Sequence, residues 1–188
     1  MKIGLGIIFC ICSSLFFAQE KGLTLAEARL MHPDSVLHLN LSKQKLTNLP
    51  SEIYQYRHLK TLDLSKNKLD HLSDSIAVFK ELIKIDLGKN KFSIFPLPLV
   101  KLTQLEELIL NRNAINELPN AISNCQKLER IDLWDTPVNI FNDGIYAIKT
   151  LKEIDLSGIE YTQEFQESLR SHFGNVKLIL DPPCNCMK

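Results

Sequence analysis

The sequence predicts an α/β solenoid, a curved domain in which short units of chain stack side by side and share one core. The first observation behind this prediction is a period: one apolar pattern restarts every 23 residues without an insertion. The six copies start at Val36, Leu59, Leu82, Leu105, Leu128 and Leu151. The second observation is the spacing inside a copy, where leucine or another apolar residue recurs at the first, fourth, sixth and eleventh places, often with asparagine at the ninth. One such unit cannot bury its apolar face alone, so neighbouring units must cover each other.

The pattern L-x-x-L-x-L-x-x-N-x-L resembles the leucine-rich repeat, and the resemblance covers residues 36 to about 159. Three copies also carry the L-P-x-x-I-x-x-L ending or a variant of it, as in Leu118-Pro119 with Ile122. This ending is similar to that of the Ras suppressor protein and its relatives, and of short exported repeat proteins of bacteria. The resemblance implies a leucine-rich-repeat solenoid of six repeats with a parallel concave sheet, and a function in binding rather than catalysis.

Residues 1–18 predict a secretory signal peptide. Lys2 precedes an uncharged apolar run over residues 3–17, and the small residue Ala18 follows it. The alternative is a membrane anchor, but the run is about 15 residues long and a spanning helix needs ~20. We therefore expect cleavage near Ala18, no transmembrane segment afterwards, and a protein that is secreted or held in the cell envelope.

Residues 19–35 are expected to form an N-terminal helical cap. Thr24 and Glu27 have the spacing of a capping box, which predicts a helix that runs to about Met31 and stops before Pro33. The apolar side chains expected to cover the open end of the first repeat are Leu25, Ala28 and Leu30.

Residues 36–161 are assigned to the six repeats. In each copy, places three to seven predict a strand whose fourth and sixth side chains point into the core, and whose third, fifth and seventh line the concave face. Asn67, Asn90 and Asn113 occupy ninth places and are expected to form a ladder of amides that pairs with backbone groups at the turn after the strand. Prolines in the second half predict an extended or 3₁₀ return path rather than a full helix.

Residues 162–188 are expected to form a C-terminal cap and tail. Thr162 can cap a helix whose apolar stripe contains Phe165, Leu169 and Phe173, and the run 176–180 reads as a last strand.

The concave face is the predicted surface for a protein or peptide partner. Its candidate residues are the fifth-place aspartates with the only tryptophan and its expected neighbours: Asp63, Asp86, Asp132, Asp155, Trp134, Ile109, Asn111 and Arg130. Aspartate at this place is also common in the family, so it can equally be ordinary repeat surface. Trp134 either stands out on the concave face or lies back over Pro137 and the C-terminal cap.

The area of the predicted sheet limits the partner. Six strands of about five residues give a sheet of roughly 480 Å². This is below the ~800 Å² per side of a standard interface, so a larger partner must also use the loops.

A basic edge follows the strands. The eighth and tenth places of the first copies carry Lys43, Lys45, Lys66, Lys68, Lys89, Lys91 and Arg112. The formal net charge of the chain is zero, from 22 basic and 22 acidic residues, and so does not reveal this local concentration of positive charge. It suggests an alternative function, in which a polyanion such as an anionic glycan binds there, although lysine is also ordinary in such loops.

No enzyme motif is present in the sequence. It has no G-x-S-x-G, no H-E-x-x-H and no phosphate-binding loop. Cys125 reads as a buried apolar residue, whereas Cys184 and Cys186 can pair with another chain, bind a metal or stay exposed. We therefore expect a non-enzymatic binding module without a cofactor or a metal, and no nucleic-acid partner.

Overall fold

The computed structural model of the chain describes residues 22–184. The predicted signal peptide and Cys186 lie outside these residues. The described part is a solenoid with a seven-stranded parallel sheet on one side, which confirms the predicted fold class.

Each of the six repeats contributes one three-residue strand to the sheet. In chain order, the strands of residues 22–184 are β1 (His38–Asn40), β2 (Thr61–Asp63), β3 (Lys84–Asp86), β4 (Glu107–Ile109), β5 (Glu117–Leu118), β6 (Arg130–Asp132), β7 (Ile140–Phe141), β8 (Glu153–Asp155) and β9 (Lys177–Ile179). The main sheet has the order β1-β2-β3-β4-β6-β8-β9, and β5 pairs with β7 in a small second sheet. The register follows the period, since His38 is paired with Thr61, and Thr61 with Lys84.

The core runs the length of the solenoid beneath this sheet. The central residue of every strand from β1 to β8 in the main sheet is buried, and its two neighbours are less buried in all of them except β4. The sixth-place leucines Leu64, Leu87 and Leu110 are 0% exposed. Burial of one leucine side chain stabilises a fold by about 1.5–3 kcal/mol, so the repeated leucines account for the stacking.

Asparagine side chains close the turn after each central strand. The Nδ2 group of Asn90 donates to the carbonyls of Leu64 (3.0 Å) and Leu87 (2.9 Å), while its Oδ1 accepts from the Leu69 N–H (3.0 Å). Asn67 and Asn113 make the equivalent bonds. In the fifth repeat the buried Thr136 hydroxyl lies 3.2 Å from the Leu110 carbonyl and takes over part of this role.

The return path is made of short 3₁₀ helices in the first four repeats. They span Ser51–Gln55, Asp74–Val78, Leu97–Lys101 and Asn120–Asn124. A proline precedes three of them; in the second repeat Ser73 does so, and its hydroxyl accepts from the Ser75 N–H. In the fifth repeat β7 lies on this side.

The N-terminal helix α1 (Leu25–Ala28) carries the capping box, with Thr24 and Glu27 bonded to each other in both directions. It ends earlier than predicted, and Leu30 is 88% exposed, so the prediction that Leu30 covers the first repeat is wrong. The reason is that the chain tightens after Ala28, where the Leu30 N–H bonds to the Glu27 carbonyl three residues back. The free edge of β1 is covered by Leu23, which donates to the His38 carbonyl at 2.9 Å and accepts from the Asn40 N–H at 2.7 Å.

The C-terminal helix α2 (Gln163–Phe173) packs against the last repeats. Thr162 caps it by accepting from the Phe165 N–H. Phe173 makes edge contacts with Phe141 and Tyr146, whose ring centroids lie 5.8 and 4.8 Å away. Neither helix of residues 22–184 has the length and apolar character needed to cross a membrane.

Candidate binding surface

The concave face carries a row of aspartates at the last residue of β2, β3, β6 and β8. This carboxylate row consists of Asp63, Asp86, Asp132 and Asp155, all half-buried. In each, Oδ1 accepts the N–H of the residue two positions later, as from Ser65 to Asp63 and from Gly88 to Asp86, both at 2.8 Å. Aspartate therefore recurs at this place because it caps the end of the strand.

The second oxygens of the carboxylate row are largely unused. Asn111 donates to Oδ2 of Asp132 at 2.8 Å. Within residues 22–184, no hydrogen bond or ion pair reaches Oδ2 of Asp63, Asp86 or Asp155.

Burial raises the pKa of Asp86 above its ordinary value, and the charges of Asp63 and Asp132 raise it further. The Gly88 N–H bond and the nearby Lys84 oppose this shift. The carboxylate row is thus a place where negative charge is concentrated and incompletely solvated.

The third-place residues form a neighbouring row in which charge is already neutralised. This paired row alternates in sign through Lys84, Glu107, Arg130, Glu153 and Lys177, and adjacent members are joined by ion pairs of 2.7–3.1 Å. Hydrogen bonds from Lys177 and Arg130 hold the pKa of Glu153 below its ordinary value. Lys84 and Arg130 therefore form their ion pairs within their own row and not with the aspartates.

A shallow depression opens at the N-terminal half of the concave face. Its volume is about 300 Å³. Its lining combines members of both rows with strand residues: Gly22, Leu39, Thr61, Leu62, Asp63, Lys84 and Asp86. Two carboxylates, those of Asp63 and Asp86, thus line the same depression.

Trp134 lies at the loop edge of the face and is half-buried. The guanidinium carbon of Arg112 lies 4.4 Å from its ring centroid, a cation–π contact. On the side of the next repeat, a Cβ on Gly158 would lie 3.0 Å from the Trp134 Nε1, so glycine leaves room for the ring. The sequence analysis did not predict that Arg112, a member of the basic edge, would cover the Trp134 ring.

The other predicted residues near Trp134 have structural partners. Ile109 is only 9% exposed and separates the carboxylate row into two pairs. Asn111 lies over Gly88, where a Cβ would come within 2.5 Å of its Oδ1. These two residues therefore shape the face.

All seven members of the basic edge are exposed. Its eighth-place residues Lys43, Lys66, Lys89 and Arg112 all have left-handed backbone, with φ of 61°, 58°, 56° and 52°. The last two copies place Asp135 (φ 53°) and Gly158 (φ 86°) there. Left-handed backbone costs a residue with a side chain about 1–2 kcal/mol, and glycine, asparagine and aspartate tolerate it best. In the sequence, only Asp135 and Gly158 at the eighth places of the last two copies indicate this left-handed conformation.

Backbone bonds fix the spacing of this edge. The N–H of each eighth-place residue donates to the seventh-place carbonyl of the next repeat, as from Lys66 to Gly88 and from Lys89 to Asn111, both at 2.8 Å. Arg112 pairs with Asp135 at 3.1 Å, while the six lysines make no ion pair with any residue between 22 and 184. The hydrogen bond from His71 is the main cause that lowers the pKa of Asp70, and the charge of the nearby Lys91 adds to it.

The cysteines of the described part are not arranged for chemistry. Cys125 is buried, and burial raises the pKa of its thiol to about 11. Cys184 is disulfide-bonded. No group of three or more His, Cys, Asp or Glu between residues 22 and 184 is placed to hold a metal ion.

Comparisons with known proteins agree with this architecture. Residues 57–115 match the family described as Leucine rich repeat. A leucine-rich-repeat protein of Leptospira interrogans superposes with a TM-score of 0.53 at 23% identity, over 83% of this chain and 57% of that chain. Internalin C2 of Listeria monocytogenes superposes with a TM-score of 0.62 at 23% identity, over 79% of this chain and 64% of that chain. A search of curated proteins found no match.

The chain has the leucine-rich-repeat fold, and its residues 57–115 match that family. It spans 57% and 64% of the lengths of the two solved proteins above, whose likeness concerns the fold.

Proposed function

We propose that this protein is a non-enzymatic binding module that recognises a protein or peptide segment on its concave face and the adjoining loops. The observation that carries the proposal is the contrast between the two rows of that face. The cations of the paired row are neutralised by their own neighbours, whereas Asp63, Asp86 and Asp155 each keep an oxygen that no group among residues 22–184 pairs with. The complementary partner presents lysine, arginine or other hydrogen-bond donors.

The size of the face limits the kind of partner. Seven strands of three residues at ~4.8 Å and ~3.3 Å per residue give roughly 330 Å². That is well below the ~800 Å² per side of a standard interface. We infer that the partner is an extended segment lying across the strands, or a larger protein that also contacts the loops around Trp134.

The place of action follows from the N-terminal sequence. The apolar run of residues 3–17 predicts export. We therefore propose that the partner is met outside the cytoplasm, in the envelope or the medium.

The first prediction tests the carboxylate row. A display library of random peptides, selected on the immobilised full-length chain, should enrich sequences with closely spaced lysine or arginine. The double variant Asp63→Asn/Asp86→Asn should weaken the selected peptides by ~10-fold or more, about 1.4 kcal/mol. Asparagine keeps the strand cap, since Asn40 already accepts the Ser42 N–H in β1.

The matched control is Glu164→Gln/Glu167→Gln, which removes two carboxylates from the exposed side of α2. It should leave the affinity within ~2-fold. Enrichment of acidic or purely apolar peptides, or equal losses in both double variants, would contradict the proposal. A further variant, Trp134→Ala, tests by its affinity for the selected peptides whether the loops around Trp134 contribute to binding.

A further inference from the structure

We propose that the basic edge is a second, separate binding site, built for a linear anionic polysaccharide that bears sulfate or carboxylate groups. It does not rest on the function proposed for the concave face. The first support is conformational. Four consecutive repeats place a long cationic side chain at a backbone position with φ between 52° and 61°, where glycine or asparagine is preferred.

The chain itself shows that the backbone does not require a cation there. Asp135 and Gly158 hold the same place in the fifth and sixth repeats with the same sign of φ. A residue choice that works against local preference, with no compensating contact of the side chain, is typical of a functional position. The lysines have no such contact, since no carboxylate between residues 22 and 184 forms an ion pair with Lys43, Lys66 or Lys89.

Several cations near the strands differ in this respect. Lys60, Lys84 and Lys152 form ion pairs of 2.7–2.8 Å with Glu81, Glu107 and Glu129. The lysines at the eighth places are thus unpaired cations that the backbone holds in a row.

The geometry suits a linear ligand. Because each eighth-place N–H is bonded to the next repeat, the four cations recur at the strand spacing of ~4.8 Å and span about 14 Å. The tenth-place Lys45, Lys68 and Lys91 run alongside as an exposed second row. Such a fixed array requires little ordering when an extended polyanion binds.

Arg112 and Trp134 lie at one end of the array. Their contact bears on which class of polyanion the edge suits. Proteins that hold single-stranded nucleic acid offer open aromatic rings for base stacking. Here the eighth and tenth places of the repeats contain no aromatic residue, and the only tryptophan is covered by Arg112. The edge therefore offers charge without stacking, which matches a sugar polymer.

The test uses the full-length chain, a heparin fragment as the probe, and the fluorescence of Trp134 and calorimetry as readouts. Lys66→Asn/Lys89→Asn should bind heparin at least ~10-fold more weakly and should reduce the slope of log K against log [salt] by about 2. Its melting temperature should stay the same or rise, because asparagine accepts left-handed backbone better than lysine.

The matched control is Lys80→Asn/Lys149→Asn, the same change at exposed lysines of twenty-second places, on the approach to the strands. It should change heparin affinity by less than ~2-fold. Equal losses in both variants, or no heparin binding by the parent chain at physiological salt, would overturn the proposal. Tighter binding of an oligothymidylate of equal charge would overturn the assignment to a polysaccharide.

Discussion

At the scale of single residues, the aspartates of the carboxylate row each serve the backbone and the surface. One oxygen of Asp63 accepts the Ser65 N–H, and the other has no bond among the described residues. Replacement by alanine would therefore disturb the strand end as well as the surface charge. Asparagine separates the two roles.

The pH dependence of Asp86 gives a second prediction. Burial raises the pKa of this carboxyl in the folded protein above the ordinary value of 3.8. In the window between the ordinary and the raised pKa, the folded state binds more protons than the unfolded state, so the stability that Asp86 contributes falls as the pH rises. Asp86→Asn should therefore be more stable than the parent at pH 7, and the difference should disappear once the pH falls below the ordinary pKa.

Urea denaturation at a series of pH values from 7 downward measures this difference. A variant that is less stable than the parent at pH 7 would show that the negative charge of Asp86 stabilises the fold, against the argument from burial.

At the scale of elements, the turn after each strand depends on the asparagine ladder. Asn90→Ala removes the acceptor of the Leu69 N–H and one donor to each of the Leu64 and Leu87 carbonyls, which keep the amides of Asn67 and Asn113. One unsatisfied buried group costs about 1–3 kcal/mol, so we expect a loss of about 1–3 kcal/mol in the free energy of unfolding.

Two further variants sharpen this third prediction, again by urea denaturation. Asn90→Thr should lose less than Asn90→Ala, because Thr136 bonds to the equivalent carbonyl in the fifth repeat. Gln44→Ala, at the exposed ninth place of the first repeat, should change the stability by less than ~0.5 kcal/mol. Equal losses at both places would mean that the ladder is not what secures the turn.

At the scale of the whole molecule, the stacking of the repeats forms the core and places acidic and basic residues on different surfaces. Leu87 is 0% exposed, in the third of six repeats. Leu87→Ala should lower the free energy of unfolding by about 2–5 kcal/mol, because the neighbouring repeats cannot collapse into the cavity.

The control for this last prediction is Leu30→Ala, the same change at a side chain that is 88% exposed. It should cost less than ~0.5 kcal/mol. Chemical denaturation of both variants gives the comparison, and similar losses would contradict a core that is continuous along the solenoid.

The distribution of charge is a property of the assembled solenoid. The chain has equal numbers of acidic and basic residues, yet the carboxylate row and the basic edge are sorted to different sides of the same turn. The sequence predicted which places would share a face, because side chains one period apart meet in a parallel stack. It placed Asp63 and Asp86 together correctly, since they are paired in register.

The sequence by itself determined the stacking, since period, leucine spacing and the capping box at Thr24 are local patterns with one packed solution. Only the tertiary structure decided how the side chains of the surface are used. The ion pairs of Arg130 with Glu107 and Glu153, and the contact of Arg112 with Trp134, each depend on side-chain direction across neighbouring repeats. Periodicity aligns such residues but does not say which of them touch. The left-handed backbone of Lys66 and Lys89 escaped prediction for a related reason: the bonds to the next repeat impose that φ against the preference of lysine.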